Sequence, residues 1–158
     1  MGPFAIRYPR GKGVIADWHN EMQALPVGRG RCMRQGEGVA VLSIGHIGNE
    51  VIEVTNRLAE RGIKVGHYDM IFLKPIDEEI LEEVGQRFKY VITIEDGIRN
   101  GGMGSAVVEW MSDHQYTPRI VRLGLPDRFV EHGSVAELQS LLGIDCAGIK
   151  KAIKEIKQ

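Results

Sequence analysis

Apolar and polar positions along this chain alternate between two rhythms, and each change of rhythm marks an element. Gly38-Val-Ala-Val-Leu-Ser-Ile44 is a nearly continuous apolar run, the pattern of a strand buried on both faces of a parallel sheet. Gly45 closes it. From Asn49 to Arg61 the apolar residues fall at Val51, Ile52, Val54, Leu58 and Ala59, a helical spacing ended by Gly62. The alternation then repeats. Ile63 to Tyr68 reads as a strand, and Asp77 to Phe88 as a helix with Ile80, Leu81, Val84 and Phe88 on its apolar face. Tyr90 to Ile94 is a strand, Met103 to His114 a helix and Arg119 to Leu123 a strand. Asp77 is expected to cap its helix, with Glu78 and Glu79 in the first turn, where the helix dipole favours carboxylates. Two helices end the chain, one from about Ser134 to Leu142 capped by Ser134, the other from about Cys146 to Ile156 introduced by Asp145. Strands alternating with helices of this length imply right-handed crossovers and a sheet covered on both faces, an α/β fold.

The first part of the chain lacks this order. Phe4 to Arg7 reads as a strand stopped by Pro9 and Gly11, with no partner before the next element. Gly13 to Gly28 reads as a linker with a short apolar cluster around Trp18 and Met22, ended by Pro26. The compact domain is expected from about Arg29, opening with an edge strand at Arg31 to Arg34, which divides the chain into 1–28 and 29–158. An orphan strand followed by a linker implies that an upstream domain has been cut away.

Composition narrows the function classes. A chain of 158 residues with 43% hydrophobic content fits one domain with a full core. Twenty basic against twenty-one acidic residues leave a net charge of −1, so no global field favours nucleic acid or an anionic membrane. No apolar run approaches the ~18 to 20 residues of a membrane span, and no signal pattern opens the chain, so the expected location is the cytoplasm. Cys32 and Cys146 have no zinc or disulfide spacing, and the five histidines show no ligand motif. A metal site is not expected.

Candidate chemistry concentrates between Tyr90 and Gly133. Gly101-Gly-Met-Gly-Ser105 follows a strand and opens a helix, where backbone N–H groups are available to an anion. It lacks the Gly-Lys-Ser/Thr of a P-loop and the third glycine of the dinucleotide fingerprint. The adopted reading is structural: the glycines allow close packing and Ser105 caps the helix. Glu95 and Asp96 stand beyond the end of their strand and point to opposite faces, which suits helix capping or a domain contact better than acid/base work. His132 is a lone loop histidine. Asp69 and Lys74 flank the approach to Pro75 and read as strand end and turn.

The segment Glu95-Asp-Gly-Ile-Arg-Asn-Gly-Gly-Met-Gly-Ser-Ala-Val107 and Leu123-Gly-Leu-Pro-Asp-Arg-Phe-Val-Glu-His-Gly133 resemble the C-terminal domain of transketolase-like thiamine diphosphate enzymes. Ile6-Arg-Tyr-Pro-Arg-Gly11, Leu42-Ser-Ile-Gly45 and His67-Tyr-Asp-Met-Ile-Phe-Leu-Lys-Pro-Ile-Asp77 bring the likeness nearest to the 1-deoxy-D-xylulose-5-phosphate synthase family. The resemblance implies a three-layer α/β/α domain with a five-stranded, mostly parallel sheet whose first strand is antiparallel. It makes 1–28 a remnant of the preceding pyrimidine-binding domain plus linker. It implies an enzyme that joins pyruvate to glyceraldehyde 3-phosphate with loss of CO2, feeding isoprenoid, thiamine and pyridoxal synthesis. Thiamine diphosphate and Mg2+ would be held by domains outside this chain, so no cofactor is expected here, and no catalytic residue. Arg7 corresponds to an arginine offered to the sugar phosphate, with Arg10 the second choice. Partners implied are the remainder of the polypeptide and a second subunit, the isolated domain being structural and inactive. The family usually has Arg where Ile71 stands. A related decarboxylating parent, such as the β subunit of a 2-oxo acid dehydrogenase, and a stand-alone anion-binding module are the alternatives.

Overall fold

A computed structural model describes residues 2–9, 13–14, 19 and 21–158. Among the described residues, five strands and five helices follow in order: β1 (Arg31–Arg34), β2 (Val39–Ile44), α1 (Gly48–Ala59), β3 (Gly66–Asp69), α2 (Glu78–Arg87), β4 (Tyr90–Ile98), α3 (Met103–Asp113), β5 (Arg119–Leu125), α4 (Val135–Leu142) and α5 (Cys146–Glu155). The strands form one sheet in the order β1-β3-β2-β4-β5. β1 runs antiparallel to β3, and the other neighbours are parallel.

The period of two along β2 explains the three layers. Val39 and Val41 face one side, where Val51, Val54 and Leu58 of α1 and Ile149 and Ile153 of α5 cover them. Ala40 and Leu42 face the other, against Ile80, Leu81 and Val84 of α2 and Met103, Val107 and Met111 of α3. Both faces of β2 are therefore dry, and each large side chain buried this way contributes about 1.5–3 kcal/mol. Asp77 caps α2 as expected, its carboxylate accepting from the backbone N–H groups of Glu79 and Ile80. Ser134 and Glu137 form a reciprocal capping box on α4, and Asp145 caps α5.

Three sequence expectations need correction. Phe4 to Arg7 is not a strand: the segment belongs to no element, and Phe4 and Ile6 are exposed. A strand must exchange hydrogen bonds with a neighbour, and neither edge of the sheet pairs with it. β3 starts at Gly66 rather than Ile63, because the chain before it crosses Gly36 so closely that a Cβ there would lie 2.0 Å from the Gly66 nitrogen. Just before it, the Lys64 carbonyl accepts from the Glu37 N–H at 3.1 Å. β4 continues past Ile94 to Ile98, resuming its pairing with β5 at Ile98 and Leu125 after an irregularity. Glu95 and Asp96 thus lie inside the strand. Of the apolar cluster expected around Trp18 and Met22, Trp18 lies outside the described residues and Met22 is exposed.

Candidate functional site

β2 has β3 on one side and β4 on the other, so the crossovers diverge at the β2/β4 boundary. Open α/β sheets bind ligands in the crevice at the carboxyl ends of such strands. Here that crevice is taken up by the chain itself. Glu95, paired in register with Ile44, is buried. Its Oε2 accepts from the Met103 N–H at 3.0 Å and its Oε1 from the Gly104 N–H at 2.9 Å. The positive end of α3 therefore faces a carboxylate from its own sheet. The glycines follow from this contact. A Cβ on Gly102 would stand 2.1 Å from Glu95 Oε2, and one on Gly104 2.5 Å from Thr93 Oγ1. Any other anion at these N–H groups would have to displace Glu95.

Asp96 points the other way, as strand alternation requires, and its Oδ2 lies 3.2 Å from His46 Nε2. The pair ties the end of β4 to the loop after β2. Ser105 is not the cap expected of it. The N-cap is Gly102, which has no side chain, and Glu95 already satisfies two first-turn donors. Ser105 Oγ instead accepts from the Gly101 N–H at 2.9 Å and from Arg122 Nη1 at 2.8 Å, and donates to the Arg99 carbonyl at 3.2 Å. It staples the glycine loop to β5.

At the end of β3, Asp69 pairs with Arg31 at 2.9 Å and accepts weakly from the Ile71 N–H at 3.4 Å. Ile71 itself has φ 56°, a left-handed conformation unusual for a β-branched residue. Lys74 is exposed in the turn before α2. Asp77 is buried and also accepts from the Gly30 N–H at 2.7 Å. His132 is exposed in the loop between β5 and α4. Arg7 lies over this same edge, its Nη1 3.9 Å from where a Cβ on Gly97 would stand. Phe4 packs edge-on against Phe72, ring centroids 6.3 Å apart. Arg10 lies outside the described residues.

Sequence reading missed two polar contacts inside the fold. Ser43 Oγ and His67 Nε2 are 2.8 Å apart, both buried, and His67 Nδ1 has no partner. Burial, assisted by the positive charges of Arg34 and Arg31, pushes the imidazole down to about 4. A nucleophile and base need access and an orienting third group; this pair has neither. Cys146 Sγ lies 2.8 Å from Glu50 Oε2. Burial and the adjacent Glu50 carboxylate push the thiol up to about 12, so it stays protonated and unreactive at neutral pH. Strand and helix periodicity gives no sign of either contact, since the partners are 24 and 96 positions apart.

A five-stranded mixed sheet between two helical layers, its switch point closed by its own carboxylate, is a three-layer α/β/α domain. The family profile described as "Transketolase, C-terminal domain" matches residues 28–149, and the chain belongs to that family. The chain is 54% identical over 154 residues to 1-deoxy-D-xylulose-5-phosphate synthase of Parabacteroides distasonis, and 52% identical over 153 residues to that of Bacteroides thetaiotaomicron. The alignments take in 98% and 96% of this chain but 24% of each relative. The chain thus spans about a quarter of the length of the relatives it matches. A solved structure described as a split gene transketolase, inactive beta4 tetramer, superimposes with TM-score 0.77 at 30% identity, over 84% of this chain and 43% of that one.

Proposed function

We propose that this chain serves as the C-terminal quarter of a 1-deoxy-D-xylulose-5-phosphate synthase, acting in the cytoplasm as a structural and subunit-contacting domain without turnover of its own. The observation that carries this reading is identity above 50% along nearly the whole chain to synthases four times as long. The complete enzyme would condense pyruvate with glyceraldehyde 3-phosphate and release CO2. Bound thiamine diphosphate supplies the acyl carbanion equivalent in that chemistry.

The described residues do not fit that cofactor. The backbone donors at the start of α3, where a diphosphate would bind, are held by Glu95. No group of three His, Cys, Asp or Glu among the described residues is placed to hold a metal. No step of the reaction is therefore assigned to this chain. Its contribution toward substrate would come from Arg7, whose guanidinium suits bidentate contact with a phosphate, with Arg10 as the second choice. The split gene transketolase, an inactive tetramer by its description, agrees with a role in assembly, and a homodimer is the assembly proposed for the complete enzyme.

The test is a chimera in which this chain replaces the matching quarter of the Parabacteroides distasonis synthase. The chimera is expected to release CO2 from pyruvate in a glyceraldehyde-3-phosphate-dependent manner, and the chain alone to release none. A folded chimera without activity, or turnover by the isolated chain, would overturn the reading.

A further inference from the structure

α1 and α5 lie on the same face of the sheet, and Val51, Val54 and Leu58 of α1 share one core cluster with Ile149 and Ile153 of α5. Between them the two helices leave a cleft of about 320 Å³, at the low end of the ~300–1,000 Å³ usual for small-molecule sites. Val54 and Leu58, only 4 and 7% exposed, form its floor, and Cys146 and Ala147 its wall on α5. Nothing in this floor or wall is charged. The Cys146 thiol is protonated at neutral pH and donates to Glu50 Oε2.

The rim is cationic. Exposed Arg57, Arg61 and Lys150 line the cleft, and no carboxylate does. Glu50 and Glu53 approach Cys146 from α1, but both are engaged: Glu50 accepts from the Cys146 N–H as well as its thiol, and Glu53 pairs with Arg57 at 2.5 Å. The Arg61 and Lys150 side chains have no ion pair or hydrogen bond among the described residues. Two unmatched cations therefore stand over a neutral, apolar floor. An inorganic anion would match the cations and leave the floor uncovered, and an uncharged apolar molecule would do the reverse. A phosphate monoester carries about −1.5 to −2 charge at neutral pH, which suits two cations, and guanidinium pairs with phosphate in a bidentate way.

We propose that the cleft between α1 and α5 binds a phosphate monoester carrying a short apolar chain, its phosphate held by Arg61 and Lys150 and its chain over Val54 and Leu58. Neither Glu95, Asp96 nor Arg7 lines the cleft. The site is thus separate from the carboxyl edge of the sheet, and its test does not depend on whether this chain completes a synthase.

Titration of the isotope-labelled chain with hexyl phosphate, followed by amide NMR, tests the site. Signals of 54–61 and 146–150 should shift saturably, while those of β4 and α3 stay in place. Hexanoate, with a single charge, and inorganic phosphate, with no chain, should each bind at least about tenfold more weakly. The Arg61→Gln/Lys150→Gln variant alters exposed side chains alone, so its urea midpoint should match the wild type while its affinity for hexyl phosphate falls at least about tenfold. Ala147→Trp fills the cleft without changing its charge and should weaken hexyl phosphate more than inorganic phosphate. Absence of saturable shifts at 54–61 and 146–150, or undiminished binding by the double variant, would overturn the proposal. Inorganic phosphate binding as tightly as hexyl phosphate would reduce the site to a patch of surface charge and overturn it too. Hexanoate binding as tightly would overturn the assignment of a phosphate.

Discussion

Acidification should weaken this domain through His67, and the size of the effect follows from where the ring sits. His67 is buried, its Nε2 is engaged with Ser43, and its titration lies at about 4 against an ordinary 6.5. The folded value is the lower one, so between these limits the unfolded chain takes up a proton that the folded chain refuses. Stability from this group is complete above 6.5 and is lost as pH falls toward 4. From pH 7.5 to 4.5 linkage gives a loss of about 2.5 kcal/mol, a large part of the 5–15 kcal/mol typical of a domain. Other carboxylates titrate in the same range, so the informative quantity is a difference. Replacing both partners, Ser43→Ala with His67→Leu, removes the titrating group without stranding a buried polar atom. Urea unfolding followed by Trp fluorescence at pH 7.5, 6.5, 5.5 and 4.5 should show the wild type losing about 2.5 kcal/mol more than the double variant. Equal losses in both proteins would refute the reasoning, because they would mean that the ring is protonated as easily inside the fold as outside it.

Glu95→Ala should cost about 2–4 kcal/mol in urea or thermal unfolding, because it strands two buried N–H groups of α3 and removes the charge facing the helix dipole. Asp77→Ala should cost about 3 kcal/mol, the sum of a lost cap and the orphaned Gly30 N–H, while Asp77→Asn should recover most of the cap. Ile71→Asn should raise stability by about 1 kcal/mol, since Asn tolerates the left-handed conformation that a β-branched side chain resists. A lower unfolding midpoint for that variant would show that packing of the Ile71 side chain outweighs its backbone cost.

Order and type of the elements were legible because each is long enough to show its period. The apolar run of β2 and the spaced apolar face of α2 lie in continuous sequence, and so do the caps Asp77, Ser134 and Asp145. The corrections all involve information that sequence separation hides. Ser105 looked like the cap of α3 because it is local, yet Glu95, eight positions before Met103 and in another element, reaches the N–H groups first. Phe4 to Arg7 has strand composition without a ladder partner, and composition alone cannot supply one. Ile94 looked like the end of β4 because the apolar run stops there, whereas the backbone goes on pairing through polar residues to Ile98. Arg7 was singled out by resemblance; its position over Gly97 is a contact between residues far apart in sequence, which no local pattern encodes.

The same edge that makes many α/β sheets into ligand sites has here been committed to fastening. Glu95 joins β4 to α3, Asp96 joins β4 to the loop after β2, Asp69 joins β3 to β1, and Asp77 joins α2 to the entry of β1. Each of these four carboxylates already balances a donor or cation of this chain. Displacing Glu95 or Asp77 would strand backbone N–H groups inside the fold, at about 1–3 kcal/mol for each buried donor. A small anionic ligand has to meet that cost with a handful of contacts. An edge whose inward carboxylates are already paired gives a small ligand little to bind, and that is the physical ground for preferring the larger-enzyme reading to that of a binding module in its own right.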